Sequence, residues 1–129
     1  MSKNKFRVWD KRVNHMVYSD NYKCLSDFFN ENIFDYHTNS NPKDTYKLMQ
    51  YTGLKGKNGK EIYEGDIVKG EVGFQGKIMK VKGKVEYTHC RFVIAEYQCS
   101  LFQFSNDFAG AGFWINKIGN KYENPELLE

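Results

Sequence analysis

The residues of this chain best placed to do chemistry are lysines. Lys77, Lys80, Lys82 and Lys84 lie close together, and the last three are spaced by two. On an extended strand that spacing puts Lys80, Lys82 and Lys84 on one face. A row of ammonium groups on a barrel face can track the phosphates of a nucleic acid, with Lys55, Lys57 and Lys60 as further cations nearby. Such binding is electrostatic, weak and indifferent to base sequence, because lysines contact phosphates and read base edges poorly. The plainer reading is a solvated face that keeps a strand edge from aggregating. The modest net charge of +3 and a total of three arginines, Arg7, Arg12 and Arg91, favour the plainer reading.

The other reactive side chains form no constellation. His89, Cys90 and Cys99 lack the short-spaced ligand pairs of a structural zinc site, and no fourth ligand is evident. Adjacency of His89 and Cys90 is not the geometry of a nucleophile and its base. Glu61, Glu64 and Asp66 sit on one hairpin, whereas acid–base catalysis needs carboxylates held in different environments across a cleft. Gly53, Gly56, Gly59 and Gly65 lack the Lys-Ser/Thr and helix start of a phosphate loop. No catalytic residue, metal ligand or cofactor site is therefore assigned.

The elements that would position the lysines read as strands and turns. Asn58-Gly59 predicts a two-residue type I′ hairpin, with positive φ at both residues. Gly65-Asp66 predicts a sharp corner, with the Asp66 carboxylate capping backbone N–H groups. Residues 4–20 read as a first hairpin, and Ser26 as the N-cap of a short helix through Asp27, Phe28, Phe29 and Glu31. Residues 39–44 read as a loop, and Gly73 and Gly76 as another turn. The alternation from Lys80 to Tyr87 predicts a strand with Gly83 as a possible bulge. Strands are also expected over Arg91–Tyr97, Leu101–Phe104 and from Phe113 to about Gly119, with a turn at Gly110-Ala111-Gly112. Asn124-Pro125-Glu126 predicts one terminal helical turn. Trp9, Tyr51, Ile67, Val85 and Ile118 are expected in one barrel core.

The 129 residues suggest one domain, 1–129, with a variable insertion at about 21–44 and a barrel portion at about 45–129. Ten Phe, nine Tyr and two Trp supply large buried area from few positions. No apolar run approaches the ~20 residues of a membrane span. The N-terminal residues lack the apolar stretch of a signal peptide. Three cysteines without paired spacing fit reduced thiols, and hence a cytoplasmic location.

Three blocks carry a family resemblance. They are Phe6-Arg7-Val8-Trp9-Asp10, the run from Gln50 to Val68 (QYTGLKGKNGKEIYEGDIV), and the run from Ile118 to Leu128 (IGNKYENPELL). Together they resemble the YopX-like family of phage and prophage proteins, across nearly the whole chain. Gly56, Val8 and Lys121 depart from the family pattern. The resemblance implies a mainly β fold, an SH3-like barrel roll built from hairpins with minor short helical segments. It also implies a phage or prophage origin, and no particular activity. The expectation is a small, non-enzymatic accessory protein that acts as a binding or interaction module. Its partner would be an unknown protein or a second copy of itself. Weak, sequence-indifferent nucleic-acid binding through the lysine face is the alternative, and an enzyme of unknown type the third. No membrane partner is expected.

Overall fold

The computed structural model describes residues 5–32, 46–74, 77–88, 90–95, 99–101 and 114–128. The chain is mainly β and divides into two compact units, Met1–Tyr51 and Thr52–Glu129.

In the first unit, β1 (Phe6–Asp10) is the middle strand, between β2 (His15–Tyr18) and the start of β3 (Tyr46–Lys55). Both pairings are antiparallel, and place Trp9 opposite Met16 on one side and Lys47 on the other. Both edges of β1 are paired, and Arg7, Val8, Trp9 and Asp10 are all buried. Helix α1 (Leu25–Asn32) supplies Phe28, which packs with Val8 and Tyr46. Tyr22, Phe29 and Phe6 extend that cluster through tilted and edge-on ring contacts of 5.4–5.6 Å. The helix begins before the predicted cap at Ser26, because the Cys24 carbonyl already accepts the Phe28 N–H at 3.3 Å.

The second unit contains the rest of β3, β4 (Glu61–Tyr63), β5 (Asp66–Phe74), β6 (Lys77–Thr88), β7 (Arg91–Ile94), β8 (Cys99–Ser100) and β9 (Trp114–Asn120). Five of these form an antiparallel sheet in the order β8-β7-β6-β5-β9. Alternation decides its faces. Val68, Val72, Val81 and Val85 point inward, and join Ile62, Ile94, Leu101 and Ile115 in an aliphatic core. Lys69, Glu71, Lys80, Lys82 and Lys84 point outward.

Several expectations need correction. The Asn58-Gly59 turn is not type I′. The Gly59 N–H donates to the Gly56 carbonyl, the Gly56 N–H donates to the Lys60 carbonyl, and only Gly59 has positive φ, +86°. This is a three-residue loop, a type I turn followed by a left-handed glycine. Asn58 stays right-handed, and its Oδ1 accepts the Lys60 N–H, so the positive φ falls on Gly59 alone. Gly83 is not bulged, since it pairs in regular register with Val68. The irregularity lies between Ile67 and Val68, against β9. β5 runs through Gly73 to Phe74, so no turn occurs at Gly73.

The expected single core is replaced by two apolar clusters, one in each unit. Trp9, Ile67 and Val85 are buried, whereas Tyr51 and Ile118 are half-buried. The terminal turn is a 3-10 helix, Pro125–Leu128. The loop expected over 39–44, Gly76, His89, Tyr97, Phe104 and Gly110–Gly112 lie outside the described residues.

Candidate functional site

The outward face of the five-stranded sheet carries two cross-strand rows. In one, Lys82 on β6 stands opposite Lys69 on β5, which stands opposite Asn116 on β9. In the next, Lys80 stands opposite Glu71, which stands opposite Trp114. Lys69, Lys82, Glu71, Lys80 and Trp114 line an open groove of about 440 Å³. Gly70 lies between the rows and faces inward. A methyl group there would overlap the Trp114 carbonyl oxygen, so the bare backbone lets β9 lie close to β5.

The β3–β4 hairpin reaches the same region. The Lys57 N–H donates to the Ile115 carbonyl, and the Asn58 N–H donates to Asn116 Oδ1 at 2.8 Å. These bonds hold Lys57 beside β9, with its Nζ 5.8 Å from the centre of the Trp114 ring. That is a cation–π distance.

The electrostatics of the two rows differ. Lys80 faces a carboxylate across the strand pair, but Lys82 and Lys69 face each other. Like charges directly opposite destabilise a sheet. Four other cations have carboxylate partners: Lys5 with Asp20, Arg12 with Asp10, Lys84 with Glu86 and Lys117 with Asp66. Among the described residues no ion pair joins a carboxylate to Lys69 or Lys82.

The groove thus gathers Lys80 and Lys82, with Lys57 at its edge, from the lysines expected to act together. Lys84 is half-buried and held by Glu86 at 3.3 Å, and Lys77 stands at the exposed start of β6, opposite Phe74. Lys55 and Lys60 are exposed on the hairpin but do not line the groove. Three groove side chains escaped the sequence reading, Lys69, Glu71 and Trp114. Lys69 could have been found from the inward–outward alternation of Val68-Lys69-Gly70. Trp114 carries no local signal, since only strand register brings it to Glu71.

The acids of the β4–β5 corner serve the fold. Asp66 is fully buried, accepts the Tyr63 N–H at 2.8 Å and faces Lys117 Nζ at 3.4 Å. Asn120 plays a similar part at the end of β9, where its Oδ1 accepts the N–H groups of Tyr122 and Glu123. Among the described residues no three His, Cys, Asp or Glu side chains converge as a metal would require. Among them, no helix is long and apolar enough to cross a membrane.

Fold and site together define a mainly β protein with a basic, tryptophan-lined groove on one sheet. The family described as YopX protein matches residues 5–129, so the chain belongs to the YopX family. It is also similar to protein EF1440 from Enterococcus faecalis, known from a crystal structure. The identity is 28%, the TM-score is 0.62, and 100% of each chain is covered. No curated protein matches the sequence.

Proposed function

We propose that this protein is a non-enzymatic binding module whose working surface is the outward face of the five-stranded sheet. Its partner on that face is a polyanion. The observation that supports this most is the Lys69–Lys82 pair, two ammonium groups in direct cross-strand register, with the neutral Asn116 completing their row and Glu71 opposite Lys80 in the next. A sheet gains nothing from that pairing until an anion lies between the charges. Phosphates of a nucleic-acid backbone are the anions that a row of this kind suits, and contact with them releases counterions. The role fits a small SH3-like accessory protein of phage or prophage origin, at work in the host cytoplasm.

The test is an anisotropy titration of the whole chain with labelled single- and double-stranded DNA and with RNA, at two salt concentrations. Binding should be measurable at low salt and fall steeply as salt rises. Replacing Lys69 and Lys82 together by Ser should abolish it while leaving the fold intact. No binding at low salt, or binding that survives the double substitution, overturns this reading. A second reading, a protein partner or self-association, is favoured by Ile78 and Met79, which are 66% and 44% exposed at the start of β6. Sedimentation analysis that finds a dimer abolished by Ile78→Ser would support it.

A further inference from the structure

We infer that Trp114 stacks against an unpaired base, so that the groove selects single-stranded nucleic acid over duplex. This rests on the polyanion reading and adds a ligand class to it. The two rows of the groove have different chemistry. The Lys69–Lys82 row is purely cationic. The neighbouring row carries an indole, a carboxylate and a lysine, in the order Trp114, Glu71, Lys80.

Residues two apart on a strand are separated by about 6.5–7 Å. That is comparable to the reach from a phosphate, across its sugar, to the base. A nucleotide with its phosphate on the cationic row would therefore bring its base over the second row. Glu71 favours the same polarity, because its carboxylate repels a phosphate from the row that holds Trp114. A carboxylate also accepts hydrogen bonds from base amino groups.

Trp114 is half-buried and lines the open groove, so part of its ring is presented to the ligand. Lys57 already lies over that ring at 5.8 Å on a long exposed side chain. When a base arrives, its ammonium has only to swing to the adjoining phosphate. A volume of about 440 Å³ suits one nucleotide of a passing strand. Duplex can offer phosphates to the lysines, but its bases remain stacked on one another and out of reach of the indole. Aromatic platforms beside a basic track are how single strands are held without sequence preference.

The test compares a labelled 15-nucleotide single strand with its own duplex, in DNA and in RNA, by anisotropy at one low salt concentration. It uses the full chain and its Trp114→Ala and Trp114→Phe variants, with tryptophan fluorescence recorded in parallel. A poly-glutamate peptide serves as an acidic protein-like competitor. The single strand should bind at least about tenfold tighter than the duplex and quench the fluorescence of the unsubstituted protein. Trp114→Ala should weaken single-strand binding by ~5- to 100-fold and leave duplex binding nearly unchanged. Trp114→Phe should keep most of the affinity and lose the quenching, which separates stacking from damage to the fold. Equal affinity for strand and duplex without quenching overturns the stacking inference and leaves the polyanion reading standing. So does displacement by poly-glutamate as effective as by the oligonucleotide. No binding to strand or duplex overturns both.

Discussion

Gly59 offers a clean measure of how the β3–β4 hairpin is held. Its φ is +86°, yet a Cβ built at this position meets no atom within 4 Å. Gly59→Ala therefore adds no clash, and its whole folded-state cost is conformational. An L-residue in left-handed backbone costs ~1–2 kcal/mol. Against this, alanine restricts the unfolded chain and returns ~0.4–1 kcal/mol. The net destabilisation should lie within ~0–1.6 kcal/mol, about 0.8 kcal/mol at the middle of the two ranges. Urea unfolding followed by far-ultraviolet circular dichroism reads the mid-range value as a fall of ~0.3–0.8 M in the midpoint at unchanged slope, for a slope of ~1–3 kcal/mol/M. Gly59→Asn should recover most of the loss, because asparagine visits the left-handed region more readily. A midpoint that does not fall, or an asparagine variant as costly as alanine, would show that backbone conformation does not govern this turn.

Other substitutions probe different forces by the same assay. Gly70→Ala should cost ~2 kcal/mol or more, above Gly59→Ala, because the added methyl meets the rigid Trp114 backbone rather than open space. Asp66→Ala should cost ~1–3 kcal/mol or more, since it takes the carboxylate from the Tyr63 N–H in a fully buried site. Ile94→Ala in the aliphatic core should cost ~2–5 kcal/mol, and Phe28→Ala in the aromatic cluster ~3–5 kcal/mol.

Much of the strand pattern is legible in the chain because it depends on neighbours in sequence. The hairpin of β1 and β2 follows from alternation around a polar turn, and the outward face of Lys80, Lys82 and Lys84 follows from their spacing. The turn type at Asn58-Gly59 was not legible, because a two-residue and a three-residue loop both place glycine at a left-handed position. What decides between them is the bonding of Gly56 and Lys60, together with the anchoring of Lys57 and Asn58 on β9. The groove was half legible. Lys80 and Lys82 announce themselves, but their partners arrive by pairing between strands distant in sequence. Nothing around Trp114 says that its row will hold Glu71 and Lys80. Nor does hydropathy alone show that Phe28 and Tyr46 close one cluster while Val85 and Ile94 close another. Both sets are simply apolar.

The facing ammonium groups of Lys69 and Lys82 make salt act on this protein in two opposed ways. In the free protein their repulsion opposes the pairing of β5 with β6, so added ions that screen it should raise the melting temperature. In the proposed complex with a polyanion the same ions would compete with the ligand and lower its affinity. A bound polyanion does from within what salt does from outside, and stabilises the fold in proportion to the logarithm of its concentration over its dissociation constant. The free and liganded melting temperatures should therefore converge as ionic strength rises, one climbing and the other falling. In a dilute medium the sheet would be stiffest when its groove is filled.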